Sequence, residues 1–197
     1  KQRRDASWHY YSAQLGAAFS RQAITTDLLD TAAHCSLIGF TRVDGQRHSD
    51  THILINHAAS HTTSQQFFRN LLDDASRTVF TGKAKVHEGI CSISADQTNN
   101  NLLLSDRAKA FVRPQLEIDA DDVQCSHGAT IGQLDQQAVF YCKSRGMTQK
   151  LAYALLLQGY IDALFENVPT GHCCDYLRDA MIDNLQSYHL NEEILHD

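Results

Sequence analysis

The sequence lacks the features of two large classes of protein. It has only 2 prolines, and no apolar run approaches the length needed to cross a bilayer. A membrane helix needs about 20 consecutive apolar residues, so no membrane span is expected. The formal net charge is −6, whereas nucleic-acid binders usually present a basic face. We therefore expect neither a membrane nor a nucleic acid as a partner.

Catalytic and disulfide signatures are missing as well. The 6 cysteines include no Cys-x-x-Cys pair, and disulfide frameworks are typical of smaller secreted chains. We expect reduced thiols and a cytoplasmic setting. No nucleophile elbow, phosphate-binding Walker loop or dinucleotide fingerprint occurs, which argues against an ATPase or an oxidoreductase. The chain starts at Lys1 without a methionine, so we expect it to be a piece of a longer protein.

Short strand-like runs, with centres roughly a dozen residues apart, fill the first two-thirds of the chain. They include Ile90–Ala95 and Asn101–Ser105, which are predicted as separate strands. Asp44-Gly45 is the clearest of the few tight-hairpin signals, whereas a meander should carry many. Small polar residues are dense instead, which suits coils stacked on one another. The pattern favours a parallel β-helix, with a β-sandwich as the alternative.

After Gly132 the pattern becomes helical. Asp135 is predicted to cap a first helix and Gly146 to end it, because glycine tolerates the left-handed conformation found there. Thr148 is predicted to cap a second helix, with Leu151 and Leu155 in its apolar stripe, and Pro169 to break it. A third helix is predicted from about residue 173 to 187.

Cys125 and His127 are the sharpest candidates for chemistry. Residues i and i+2 of a strand point to the same face, so the thiol and the imidazole should lie side by side. A thiolate and an imidazole suit zinc, copper or iron, but both residues are also common as structural side chains. Two ligands do not complete a tetrahedral site, so further ligands must come from elsewhere. A looser group, His48, His52, His57 and His61, is not predicted to bind a metal.

Two longer blocks carry a family resemblance. Residues 96–108 read DQTNNNLLLSDRA, and residues 113–147 read RPQLEIDADDVQCSHGATIGQLDQQAVFYCKSRGM. In this order and spacing they resemble the C-terminal part of the SufB/SufD family, scaffold proteins of iron–sulfur cluster assembly. The resemblance implies a mainly β fold, with a right-handed parallel β-helix core over residues 1–134, truncated at its N-terminal side. A small α-helical region would follow over residues 135–197.

Two positions separate the branches of this family. SufB-like chains carry a sulfur-accepting cysteine where this sequence has Asn99, and a glutamate directly after the histidine where it has Gly128. An amide cannot act as a thiolate nucleophile, and glycine offers no side-chain ligand. The chain therefore resembles the SufD-like branch, whose members pair with a SufB-like paralogue.

The resemblance also implies a function. It indicates a non-enzymatic scaffold that pairs with a SufB-like subunit and docks a SufC-like ABC-type ATPase, with the possibility of a homodimer when alone. An iron–sulfur cluster would be held only transiently, at a partner interface that includes His127 and, less securely, Cys125. The residues expected to bind the partner lie in the FYCKSRGM segment: Phe140, Tyr141, Arg145 and Gly146. The alternatives are a stand-alone metal-binding protein and a β-helix enzyme acting on carbohydrates, although no aromatic platform for sugars is evident.

Overall fold

The computed structural model describes residues 1–166 and 171–190, without the side chains of residues 172–173 and 186–190. Pro169, predicted to break the second helix, lies outside these residues. Within them, nine strands precede three helices. The strands are β1 Ser7–Leu15, β2 Phe19–Leu28, β3 His34–Val43, β4 His48–His57, β5 Thr63–Leu72, β6 Arg77–Val86, β7 Ile93–Leu103, β8 Lys109–Ile118 and β9 Val123–Gln133.

The strands form a parallel β-solenoid of about four turns. One sheet, called sheet B, has the order β1-β3-β5-β7-β9, and the other, sheet A, has the order β2-β4-β6-β8. Successive strands alternate between the sheets, so each coil contributes one strand to each. The predicted parallel β-helix is confirmed, and the β-sandwich alternative is wrong because the strands pair in parallel.

One coil is about twice as long as the spacing seen in the sequence. Register partners range from 27 residues apart, at Ser7↔His34, to 32 apart, at Arg77↔Lys109. The spacing of roughly a dozen residues is therefore the half-coil, one strand and one corner. The predicted separation of Ile90–Ala95 from Asn101–Ser105 is wrong, because β7 runs unbroken from Ile93 to Leu103. Its asparagines pair within the interior, where Asn70 Nδ2 donates to Asn101 Oδ1 at 2.7 Å.

The interior of the solenoid is built by alternation along the strands, most clearly in sheet A, whereas β3 is buried along almost its whole length. In β4 and β6 every second side chain is buried, as expected when residues i and i+2 share a face. The apolar interior includes Leu28, Leu37, Ile53, Ile55, Phe68 and Phe80. The Phe68 and Phe80 rings lie 5.2 Å apart, tilted by 46°. This packing fixes which face of each strand is available at the surface.

At several corners, a residue other than glycine adopts the left-handed backbone conformation. Ala32 has φ 59° and His61 has φ 58° at equivalent corners of successive coils. The N–H of Ala32 donates to the carbonyl of His61 at 3.1 Å, and the N–H of His61 donates to the carbonyl of Cys91 at 3.0 Å. Backbone bonds between coils therefore hold a conformation that costs an L-residue about 1–2 kcal/mol.

The helices are α1 Gln136–Ser144, α2 Gln149–Asp162 and α3 His172–Leu190. Contacts group them, with Gln133 onward, into a unit separate from Lys1–Gly132. The predicted caps are confirmed: Asp135 accepts from the N–H of Gln137 and Thr148 accepts from the N–H of Leu151. In the described part of the chain, no helix combines the length and the apolar character required to span a membrane.

The predicted apolar stripe of α2 is partly wrong. Leu151 and Leu155 are 55% and 47% exposed, whereas Ala152, Leu157 and Ile161 are buried. Residues 154–157 read Ala-Leu-Leu-Leu, so this turn is apolar all round and periodicity cannot choose its buried side. The choice is made by packing, because α2 contacts both α1 and α3.

Neighbouring coils approach closely at Gly39, so a larger residue at this position is expected to destabilise the fold. A Cβ built at Gly39 would overlap the ring of Phe68, which cannot withdraw because it packs on Phe80. Gly39→Ala should therefore lower the free energy of unfolding by about 1–3 kcal/mol, measured by urea denaturation. Gly132→Ala is the matched control, because nothing lies within 4 Å of its added Cβ. Equal stability of the two variants would show that the coils can separate freely at this point.

A second prediction concerns the fully buried His57. Its Nδ1 lies 2.8 Å from Thr62 Oγ1 and its Nε2 lies 2.9 Å from Ser64 Oγ. Burial lowers the pKa of His57 to about 4. The unfolded chain therefore binds a proton that the folded chain excludes, so this contribution is complete above pH 6.5 and is lost as the pH falls towards 4.

The expected slope is at most about 1.4 kcal/mol per pH unit, or roughly 2 kcal/mol between pH 6.5 and 5. Urea denaturation at both pH values measures it. His57→Gln should be less stable at neutral pH but should lose much of this pH dependence. His87→Gln, at an exposed turn, is the control and should keep it. An unchanged slope in His57→Gln would assign the acid sensitivity to other groups.

Candidate functional site

The two candidate ligands lie on β9, the last strand of sheet B. Side-chain bonds fix how β9 sits beside β7. Thr130 Oγ1 donates to Asn100 Oδ1 at 2.9 Å, and Ser126 Oγ donates to Asp96. Each bond joins residues 30 positions apart in the chain, which places His127 beside Gln97 and Cys125 beside Ala95.

This register puts the two candidates on the face of β9 that continues the solenoid interior. Ala95 and Gln97 are buried on that face of β7. Since β9 has β7 as its single neighbour in the sheet order, its own interior-facing side chains are less covered. Cys125 is half-buried and His127 is exposed. Cys125 and His127 therefore lie on one face of one strand, as predicted.

The thiol of Cys125 is not set up as a free thiolate. Burial raises its pKa above the usual value, and a hydrogen bond with the backbone of Ala95 partly opposes the rise. A thiol must lose its proton before it can bind a metal. Cys125 is therefore the weaker member of the pair, and His127 is the more accessible donor.

The fold brings Asn99 close to these residues. Asn99 is buried two positions along β7 from Gln97, the neighbour of His127, and on the same face. Adjacent strands are about 4.8 Å apart and two residues span about 6.6 Å, so the backbones at positions 99 and 127 are roughly 8 Å apart. Asn99 therefore lies near His127 on the same face, whereas Gly128, the next residue along β9, lies on the opposite face of the strand.

The amide of Asn99 is part of an interior ladder. Its Oδ1 accepts from Asn101 Nδ2 at 2.6 Å. Its Nδ2 is buried and has no hydrogen-bond partner among the described residues. Such an amide can position neighbours by hydrogen bonding but cannot supply a sulfur nucleophile or an anionic ligand.

A complete metal site is not formed by this part of the chain alone. Among the described residues, no group of three or more His, Cys, Asp or Glu side chains could hold a metal ion. Within the histidine group, His57 points into the interior while His48 and His52 lie on the opposite face of β4. His61 occupies a corner. Strand parity and the corner therefore separate these four residues.

The residues predicted to bind a partner lie on and just after α1. Phe140 is 73% exposed and Tyr141 is 59% exposed. The guanidinium carbon of Arg145 lies 5.3 Å from the centre of the Tyr141 ring, and Arg145 Nη2 donates to Tyr141 Oη at 3.2 Å. These contacts hold Tyr141 and Arg145 together beside the exposed Phe140 at the surface of the helical unit.

Gly146 ends α1 in the way the sequence predicted. Its φ is 87°, and its N–H donates to the carbonyl of Lys143 at 3.0 Å. The next N–H, that of Met147, donates to the carbonyl of Cys142 at 3.3 Å, which completes a Schellman motif. Met147 packs with Cys142 and Ala152. Gly146 therefore has a structural role in the turn from α1 to α2, whether or not a partner touches it.

Comparisons with known proteins place these features in context. A family model described as SUF system FeS cluster assembly, SufBD core domain, matches residues 1–160. An iron–sulfur cluster assembly SufBD family protein of Synechocystis sp. is 32% identical over 182 residues, which are 91% of this chain and 40% of that protein. Iron-sulfur cluster assembly protein SufD of Escherichia coli is 33% identical over 162 residues, 82% of this chain and 38% of that protein.

A plant protein is also similar. Protein ABCI7, chloroplastic, of Arabidopsis thaliana is 26% identical over 182 residues, 91% of this chain and 38% of that protein. The chain therefore spans 38% to 40% of the length of these three relatives.

Proposed function

This chain belongs to the SufBD family of the SUF iron–sulfur cluster assembly system, and we propose that it acts there as a non-catalytic scaffold. In this proposal it pairs with a SufB-like subunit and docks a SufC-like ATPase. The cluster is cargo, formed transiently at the interface and passed on. The energy of ATP hydrolysis comes from the partner, since this sequence has no phosphate-binding loop.

The observation that carries the proposal is the incomplete donor set on β9. His127 is exposed and Cys125 half-buried on one face, and no third ligand converges on them within the described residues. A tetrahedral iron site needs four ligands, commonly thiolates. The missing thiolates are therefore proposed to come from the SufB-like subunit.

The edge of sheet B offers a way to bring that subunit close. β9 is the end strand of the sheet in the described part of the chain, and the outer edge of such a strand can pair with a strand of another chain. A SufB-like strand added there would lie directly beside His127. The same edge would allow two copies of this chain to pair when the SufB-like subunit is absent.

The helical unit is proposed to dock the ATPase. Phe140 and Tyr141 on α1, and Leu151 and Leu155 on α2, are large apolar side chains that remain exposed. Leu151 and Leu155 are one turn apart and therefore share a face of α2. Exposed aromatic and aliphatic side chains of this kind form the anchors of protein interfaces.

Docking of the SufC-like ATPase to the helical unit can be tested by introducing one charged side chain. Phe140→Glu places a carboxylate where the proposal requires an apolar contact, and it should weaken binding of the SufC-like ATPase at least tenfold, about 1.4 kcal/mol. Calorimetric titration measures the affinity. Tyr176→Glu on α3 is the matched control, because Tyr176 is also 73% exposed. Unchanged affinity of Phe140→Glu would locate the contact elsewhere.

The role of His127 can be tested in the assembled complex. His127→Ala should leave folding and binding of the SufB-like subunit near normal, because an exposed side chain contributes little stability. Cluster formation on the reconstituted complex should fall by about tenfold, a loss typical of altered metal sites. Visible absorption and iron content follow the reaction.

The control for this experiment is His87→Ala, which removes an imidazole from an exposed turn of the same unit. A normal rate of cluster formation in His127→Ala would make the residue structural and the site assignment wrong. Loss of subunit pairing in the same variant would instead show that His127 contributes to the interface itself.

A further inference from the structure

The outward face of sheet A carries a row of side chains with no carboxylate in it. Phe19, His48, Arg77 and Lys109 are register partners across β2, β4, β6 and β8. Their chain neighbours Ser49 and Thr78 are buried, which places the row on the opposite, outward face of the sheet. We call these four residues the cationic row. Arg77 and Lys109 are exposed.

Arg77 and Lys109 lie next to each other without a partner of opposite charge. They are direct register partners on strands about 4.8 Å apart. Like charges placed opposite each other on neighbouring strands are destabilising. Among the residues that the structure describes, neither side chain forms an ion pair with a carboxylate. The repulsion between Arg77 and Lys109 therefore lowers the stability of the folded chain, and no carboxylate of the described residues offsets it.

Three other cations on the same face are neutralised, whereas Arg113, which lies two residues after Phe111 on β8, is also exposed there. Lys83 and Lys85 both contact Glu117, and Arg21 lies 3.7 Å from Asp50. Lys83 and Lys85 hold the pKa of Glu117 at about 2, so that carboxylate stays ionised between them. The positive charge available to a partner is thus carried by the adjacent pair Arg77 and Lys109, with Arg113 further along β8.

An exposed aromatic side chain lies beside the pair. The Arg77 guanidinium carbon is 4.4 Å from the centre of the Phe111 ring, and Phe111 is 38% exposed. The stack holds the guanidinium in place and leaves its N–H groups free to donate. In the same row, the rings of Phe19 and His48 are stacked at 5.5 Å. Aromatic residues and arginine are the types most enriched at protein interfaces.

We propose that the cationic row and Phe111 bind an acidic segment of a protein partner. In this arrangement a carboxylate of the partner accepts from the Arg77 guanidinium, Lys109 neutralises a second carboxylate, and an apolar side chain of the partner covers Phe111. A nucleic acid fits less well, because the few exposed cations of this surface offer few phosphate contacts, whereas nucleic-acid binders usually present a broad basic face. The surface lies in a different sheet from His127 and does not depend on the cluster-binding proposal.

The test uses a fluorescein-labelled peptide rich in glutamate and containing one phenylalanine, with binding followed by anisotropy. The full chain should bind it, and affinity should fall as salt rises, because exposed charges are screened. Arg77→Gln/Lys109→Gln should weaken binding at least tenfold. Lys83→Gln/Lys85→Gln removes the same charge from the same face and should change affinity less than twofold. Replacing the phenylalanine of the peptide by alanine should also weaken binding.

Several results would overturn the proposal. They are failure of the peptide to bind the wild-type chain, equal loss of affinity in the two double variants, and tighter binding of duplex DNA or of phosphatidylglycerol vesicles. Stability gives an independent readout. If Arg77 and Lys109 repel each other, Lys109→Gln should resist urea at least as well as wild type, and a clear loss of stability would contradict the argument.

Discussion

The structure depends on the in-register stacking of parallel coils. Each inward side chain lies beside its counterparts in the coils before and after it, so the interior is a set of columns, and each column must be filled consistently. Apolar columns give the cluster around Phe68 and Phe80. Polar side chains can bond to their counterparts in the next coil, as Asn70 does to Asn101. This stacking also explains the glycine at position 39, because the Phe68 ring fills the neighbouring position of the same column.

The last strands of the two sheets lack this stacking on one side. Within the described residues, β8 and β9 each have one neighbour in their sheets, so their interior-facing side chains are covered by strands from one side only. In the proposed scaffold, chemistry that needs a second chain would take place there, because Cys125 is only half-buried and His127 is exposed. An open edge is normally a hazard for aggregation, and pairing with another subunit would remove it. The incomplete ligand set and the open edge are therefore two aspects of one feature.

Local sequence chemistry was enough for the helical unit, with one exception. Asp135, Thr148 and Gly146 were predicted correctly because a cap is decided by a residue and the two or three that follow it. The buried face of α2 was not, since an all-apolar turn has no polar side to mark the surface. β7 was read as two strands for a related reason. The asparagine run has low strand propensity, and its stability in the strand comes from amide bonds to the neighbouring coil.

The sequence by itself determined the order of a β region before a helical one, the helix caps, and the two blocks that carry the family resemblance. Only the tertiary structure decided which distant residues meet. It placed position 97 beside position 127, with position 99 one step further along the same face, Arg77 beside Lys109, and His57 in the interior. The physical reason is that the length of a coil varies from 27 to 32 residues. The length of each coil is set by the geometry of its corners, where left-handed residues are held by backbone hydrogen bonds between coils. Because this length varies, no fixed period in the sequence encodes which residues pair between coils.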